Sequence, residues 1–344
     1  MRKLAIAEIE AVIGKPMSAV LMKQIALLDE GSCRVLARSP LAGFGYRDDR
    51  GIPHTTIIGG RAGFVSVLSE KRIAIEIGRD VAAKLGSGVS FVFMLPGLGD
   101  TFRLNGAVEA CSGGRLEVSI AEGFIHCPKC ILRSRLWEPV VGEEASDFLA
   151  SSSFAIISTW NDADSSDTSP RGDPAGFIKM IDRGTIAIPD RKGNRRIDTF
   201  RNLTTCDQIS LAALIPGRHE LLHMHGTAWV TDDPTLLSTM ALKDAPPQLA
   251  LCVRVIEAKV VANEALRAAQ PWQAAPPAQQ ADLPNLIELG AQHLASNKDK
   301  GIQPFVFRLL ARLLGAFPAA SRRLLDSALS SDLEKEGYGD RKPK

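Results

Sequence analysis

The hydrophobic pattern changes period three times along the chain. Ile6, Ile9, Val12 and Ile13, then Val20, Leu21 and Ile25 after Pro16, recur at helical spacing and predict a helical segment over residues 1–30. From Ser32 to about Trp137 the apolar residues fall in short β-type runs, among them Thr55–Ile58, Gly63–Val67, Arg72–Ile77, Val89–Met94 and Thr101–Ala110. Ile125–Leu136 reads as a helix or loop-helix carrying Lys129, Arg133 and Arg135. Short runs return at Phe154–Thr159, Gly176–Met180, Thr185–Ile188, Gln208–Leu214, Glu220–Val230 and Ala250–Val261, interrupted by a polar loop from Asn161 to Pro170. A linker rich in Ala, Pro and Gln (Gln273–Gln280) leads to amphipathic helices within 281–330, and residues 331–344 read as a disordered tail. Strands at this spacing predict an antiparallel barrel or sandwich.

The second series of runs is a copy of the first. Leu95-Pro96-Gly97 and Gly106 recur as Ile215-Pro216-Gly217 and Gly226, displaced by 120 (215−95 and 226−106). Ala62-Gly63-Phe64-Val65 and Ile73-Ala74-Ile75 recur as Ala175-Gly176-Phe177-Ile178 and Ile186-Ala187-Ile188, displaced by 113 (175−62 and 186−73). Glu122 and Trp137 recur as Glu257 and Trp272, displaced by 135 (257−122 and 272−137). The expected organisation is therefore module one over 31–145 and module two over 150–272.

The copies differ in their chemistry. Module two carries a basic, Gly- and Asn-containing insertion, with Arg191, Lys192, Arg195, Arg196 and Arg201 close together at a predicted strand end. Its turn can converge backbone N–H groups on an anion, and Thr199 adds a hydroxyl near the start of a short helix. Forked guanidinium groups suit phosphate oxygens; the bland alternative is a solvated hairpin. Module one alone ends in His126-Cys127-Pro128-Lys129-Cys130, followed by Arg133, Ser134, Arg135, Leu136 and Trp137. At the matching positions module two has Val261 and Ala262, then Glu264, Ala268 and Gln270 before Trp272.

Net charge changes little. A formal +2 implies neither nucleic acid nor an anionic membrane as partner. The N-terminus has no apolar stretch of signal-peptide length, and no apolar run approaches a membrane span. Six irregularly placed cysteines suggest a reducing, cytoplasmic setting. Cys127 and Cys130 lack the second pair a structural zinc site needs, so no metal is expected; the Pro-Lys between them could instead lower a thiol pKa. His219, His223 and His225 could serve as haem or metal ligands, or as a polar strand face. Asp164, Asp167 and Asp173 lack the full oxygen-rich spacing of a calcium loop.

Taken with their spacing, Ser169-Pro170-Arg171-Gly172-Asp173, Ala175-Gly176-Phe177, Ile188 to Arg191, Gly193-Asn194, Arg196, Asp198, Arg201-Asn202 and the terminal segment His126–Trp137 resemble the pyridoxamine 5′-phosphate oxidase-like flavoproteins. The branch they resemble is the one described as probable FMN-dependent enzymes. The resemblance is strong over 150–262 and weak over 32–140. It implies a mainly β chain of two tandem six-stranded split β-barrels related by pseudo-twofold symmetry, with flanking and C-terminal helices. It also implies one FMN in a composite site, and an oxidoreductase using a small-molecule substrate with NAD(P)H or O2. Carried over, Arg191, Asn194, Arg195, Arg196 and Thr199 would contact phosphate or ribityl groups. Arg171, Lys179 and Arg201 would add basic contacts, and Lys129, Arg133, Arg135 and Trp137 would close the pocket from module one. Candidates for polarising substrate or flavin are His126, Lys129, Arg218 and His223. The chain would be a pseudo-dimer able to associate further. The rival readings are a flavin or deazaflavin carrier without turnover, and a haem-binding or haem-degrading split barrel. A true pyridoxamine phosphate oxidase would need a second phosphate clamp, which the sequence does not show.

Overall fold

In the computed structural model the described residues are 2–140, 147–273, 283–299, 301–316 and 318–339. Three short helices open the chain: α1 (Ile6–Ile13), α2 (Ser18–Leu21) and α3 (Glu30–Arg38). The third overturns the expectation of β structure from Ser32. Asp29 caps it by accepting a hydrogen bond from the Ser32 N–H, and Val35 and Leu36 bury its apolar face.

Module one then forms β1 (Leu41–Arg47), β2 (Pro53–Gly59), β3 (Val65–Ser69), β4 (Arg72–Glu76), β5 (Gly88–Met94), β6 (Thr101–Ser112) and β7 (Arg115–His126), closed by α4 (Lys129–Ser134). Module two opens with α5 (Phe148–Ser151). It continues through β8 (Phe154–Trp160), β9 (Ser166–Gly172), β10 (Lys179–Asp182), β11 (Thr185–Asp190), α6 (Asp198–Thr205), β12 (Gln208–Leu214), β13 (Glu220–Thr231), α7 (Pro234–Ser238), β14 (Leu249–Ala262) and α8 (Glu264–Ala269). Half of the expected polar loop, Ser166–Pro170, is thus strand β9; only residues 161–165 turn.

Both sheets are antiparallel and have one order. Module one runs β2-β1-β5-β6-β7-β4-β3, and module two runs β9-β8-β12-β13-β14-β11-β10. Each strand therefore has a counterpart seven places on. Even the irregularities repeat: the register slips at Asn105/Gly106 and at His225/Gly226, positions 120 apart. The architecture is two tandem split barrels, with seven strands in each sheet where the resemblance implies six.

Each barrel has its own core. Phe44, Phe91, Phe93, Phe102 and Leu104 lie in the first, and Ile157, Ile188, Phe200, Leu211 and Leu251 in the second. A third cluster mixes Leu41, Ile57, Val92 and Met94 with Phe154, Ile156, Leu214 and Leu221, and joins the barrels. This is why β5 and β8 are buried along their whole length: one face meets its own core and the other meets the neighbouring barrel.

Pseudo-twofold partners meet at the junction. Gly43 and Ile156 are equivalent positions (156−43 is 113), as are Gly45 and Ser158. A Cβ on Gly43 would lie 2.5 Å from Ile156 Cδ1, and one on Gly45 would lie 2.3 Å from Ser158 Oγ. A true homodimer must set identical residues against each other here; one chain can set a glycine against a side chain. Hydroxyl groups complete the contact, with Thr55 donating to Ser158 at 2.8 Å and Thr168 within 2.8 Å of Ser158 and 2.6 Å of Ser90.

Beyond module two lie α9 (Leu286–Ser296), α10 (Ile302–Ala316) and α11 (Pro318–Lys335). The linker 274–280 and residues 340–344 fall outside the described residues. Residues 331–339, expected to be tail, instead complete α11 and turn back onto the barrels, with Leu333 and Tyr338 buried. No helix among the described residues is long and apolar enough to cross a membrane.

Candidate functional site

The two-barrel arrangement creates two pseudo-symmetric clefts. One lies where β6, β7 and α4 of module one face β9 and the β11–α6 loop of module two. The other lies where β13, β14 and α8 face β2. Among the described residues, only the first buries arginine–carboxylate pairs.

Its floor is strand-borne. Arg103 on β6, with its side chain 1% exposed, pairs with Asp167 on β9, and Asp167 also accepts from Thr199 Oγ1 at 3.2 Å. Phe124 on β7 carries two guanidinium groups over its ring, Arg103 at 4.9 Å and Arg196 at 3.8 Å from the centroid. Arg196 donates from Nε to Asp198 at 2.8 Å. Asn105 donates to Glu122 at 2.7 Å, and burial raises the Glu122 carboxyl pKa.

The wall comes from α4 and the basic loop. Arg133 donates to the Lys192 carbonyl at 2.6 Å, so the terminal segment of one module and the insertion of the other meet directly. Arg191 pairs with Asp173 at 2.7 Å and donates to the Met240 carbonyl at 2.9 Å. Asn194 accepts from the Arg196 N–H at 3.0 Å and so fixes the loop. Gly172 is essential to the approach, since a Cβ there would sit 2.0 Å from the Cys130 carbonyl.

His126 ends β7 among these groups. Burial, and then the charges of Arg103, Arg171 and Arg196, hold its pKa well below the ordinary histidine value, so the ring is neutral. Its Nδ1, Arg103 Nε, Arg196 Nη1 and Asn105 Oδ1 are buried without a hydrogen-bond partner among the described residues. Four polar atoms without a partner thus lie among one set of neighbouring buried groups.

Several predicted residues lie elsewhere. Arg201 turns to Glu10 on α1 at 2.9 Å. Arg195 is exposed, with its guanidinium 3.3 Å from where a Cβ on Gly14 would sit. Lys179 is exposed on edge strand β10. Arg135 is a left-handed helix stop paired with Glu138 at 3.7 Å on the surface. Trp137 donates to the Leu98 carbonyl at 2.7 Å and packs in the junction. Thr199, buried, faces Asp167, and Arg171 lies close enough to raise the charge felt by His126.

Arg218 and His223 belong to the other cleft: Arg218 sits in the β12–β13 turn, and His223 Nδ1 lies 2.8 Å from the Thr55 carbonyl. The three histidines do not converge, since His219 packs edge-on to Trp272 and His225 is 4.0 Å from Glu257. No group of three metal-ligating side chains occurs among the described residues. The suggested acidic thiol is reversed. Burial raises the Cys127 pKa and pushes that of Cys130 up to about 12. Asp164, Asp167 and Asp173 are each taken by an arginine: Arg47, Arg103 and Arg191. A cavity of about 650 Å³ beside Lys3, Arg47 and Gln208 contains none of the predicted site residues.

Residues 141–262 match the family model described as Pyridoxamine 5′-phosphate oxidase. That match covers the second module. Among curated proteins nothing matches. Several solved structures resemble part of the chain. HupZ of Group A Streptococcus is 14% identical, with 36% of this chain and 98% of that one aligned at a TM-score of 0.29. A putative pyridoxamine 5′-phosphate oxidase from Lactobacillus delbrueckii is 13% identical over 35% and 93%, at 0.27. General stress protein 26 from Bacillus anthracis is 12% identical over 33% and 88%, at 0.26. The matched span holds β9, the basic loop and α6 of module two. It does not hold Arg103, Phe124, His126 or Arg133, which module one contributes.

Sequence reasoning missed Arg103, Asn105 and Phe124. Their signal was alternation: Arg103 and Asn105 lie two residues apart on β6, a polar pair on one face of an otherwise apolar strand.

Proposed function

We propose that the cleft between the modules holds FMN noncovalently and that the chain is an FMN-dependent oxidoreductase. The observation that carries this reading is the set of unspent buried polar atoms, the donors Arg196 Nη1 and Arg103 Nε together with His126 Nδ1, gathered where the basic loop of module two meets α4. Guanidinium groups already aligned by Asp198 and Asp167 can accept an anionic phosphate without reorganising. Asn194 keeps the loop in place, and the Phe124 face gives the cleft an apolar surface beside the charges. Neutral His126 can donate or accept one hydrogen bond at Nδ1, and Lys129 can polarise an oxygen; these two are the candidates for handling a substrate proton. A flavin, when bound, supplies hydride and single-electron transfer. The electron donor or acceptor is NAD(P)H or O2, and the substrate is a small organic molecule.

The test is the visible spectrum of the purified full chain after incubation with FMN, followed by titration of variants. A two-band flavin spectrum is expected. Arg196→Ala and Arg133→Ala should each weaken FMN binding by about 10- to 100-fold, the scale of one lost charge-assisted contact. Arg135→Ala should leave it unchanged. Normal FMN binding by Arg133→Ala would end the composite arrangement. A Soret band on haem titration with no flavin uptake would replace it with the haem reading. A yellow protein that oxidises no reduced nicotinamide and reduces no O2 would be a carrier.

A further inference from the structure

The charged cleft is covered by the chain's own C-terminal segment. Helix α11 ends in a designed stop. Tyr338 N–H donates to the Leu333 carbonyl at 2.7 Å and Gly337 N–H to the Glu334 carbonyl at 3.1 Å, with Gly337 at φ +97°. This turn buries Leu333 and Tyr338 and aims Glu336 inward. Glu336 lies 2.8 Å from Lys129 Nζ with one oxygen and pairs with Arg133 with the other; Asp332 adds a contact to Lys129 at 3.2 Å. The Tyr338 ring stacks over the Arg133 guanidinium at 5.1 Å from the centroid, and its hydroxyl donates to Asp173. Burial, followed by the neighbouring Asp173 charge, raises the Tyr338 pKa, so the hydroxyl keeps its proton and remains a donor.

These contacts have the form of a ligand complex. A carboxylate bridges two cations on the one helix that closes the cleft, and an aromatic ring covers the guanidinium plane. Earlier on the same helix Leu324 and Leu325 are exposed. We propose that the segment Asp332–Tyr338 is an intrasteric plug, in which Glu336 occupies on Lys129 and Arg133 the place of an anionic group of the ligand, and Tyr338 latches it to Asp173. An incoming phosphate offers the same cations more charge than one carboxylate does, and displaces the plug. The inference rests on the flavin reading for the choice of FMN as ligand, but not for the anion site itself.

The experiment compares the full wild-type chain with Glu336→Gln and with Gly337→Ala, which strains the stop without touching the cations. FMN and inorganic phosphate are titrated separately, and hydrogen exchange is followed in peptides covering 333–339. Glu336→Gln should bind FMN at least about tenfold more tightly. Saturating FMN should release exchange protection in the wild-type segment, and Gly337→Ala should show that release without ligand. If FMN binds wild type and Glu336→Gln equally while the segment stays protected, the plug is overturned and the flavin reading stands. If FMN binds neither, the flavin reading falls; phosphate binding gained in Glu336→Gln then upholds the plug, and its absence overturns it.

Discussion

The two clefts between the barrels are built from equivalent strands, yet one buries charge and the other packs small side chains. Arg103 corresponds to His223, Asp167 to His54, Arg133 to Ala268, Asp173 to Gly60 and His126 to Val261. In the second cleft Asn263 donates to the Ile57 carbonyl at 2.9 Å, and Gly60 approaches Ala268 so closely that a Cβ on it would lie 3.0 Å from that of Ala268. Backbone satisfaction and van der Waals contact suffice to hold the barrels there. The comparison shows that the fold itself does not require the arginines. Buried ion pairs seldom stabilise relative to apolar packing, so Arg103–Asp167 and Arg191–Asp173 are not explained by stability alone, and the proposed anion site gives them a use.

The sharpest way to break this contrast is to cut the buried pair. Asp167→Ala leaves the Arg103 guanidinium enclosed, while Thr199 and Ser169 lose an acceptor. Unfolding in urea should show a loss of about 3–5 kcal/mol. The equivalent His54→Ala touches a side chain 37% exposed and should cost under about 1 kcal/mol. Equal costs would mean that the clefts differ in composition but not in energetics.

Overpacking the second cleft tests the opposite side. Gly60→Ala forces a methyl against Ala268 at φ +122° and should destabilise by about 1–3 kcal/mol. FMN affinity should not change, because nothing in the second cleft addresses the charged one. Thermal melting and FMN titration on the same sample read both quantities. A loss of FMN binding that matches Arg196→Ala would join the two clefts into one site.

How much of this was legible follows from where the interactions lie in sequence. Strand spacing and the 113-, 120- and 135-residue displacements gave the duplication, because β alternation and turn glycines are local. Gln208–Leu214 even carries its true ends. Strand β9 was hidden because Ser166–Pro170 is polar, and its hydroxyls are satisfied by Ser90 across the junction and by Ser158 on the neighbouring strand β8. The meeting of the basic loop with α4 could be read from which copy kept which charges. The destinations of Arg195 and Arg201 could not: one sits in the basic loop and the other on the helix that follows it, but the N-terminal helix and its end draw them away. Nor could the cover of the site, since Glu336 is 203 residues from Arg133 (336−133) and lies in a stretch whose composition reads as tail.

The smallest contrast is electrostatic and concerns His126 against Val261. Because burial and the three arginines lower its folded pKa, the native ring stays neutral while the unfolded ring takes up a proton below about pH 6.5. The stability this neutral ring contributes is therefore complete above that pH. It is lost as pH falls towards the folded pKa, at no more than about 1.4 kcal/mol per pH unit. His126→Gln removes the titration, so its stability should fall less steeply than that of wild type between pH 7 and 5, by about 1 kcal/mol at pH 5.5. His223, whose pKa burial also lowers but whose Nδ1 meets the Thr55 carbonyl, should give a shallower difference in His223→Gln. Urea midpoints across that range measure both slopes. Parallel wild-type and His126→Gln curves would mean that the ring is protonated among the arginines, and the charged cleft would then have to hold its ligand without a neutral donor.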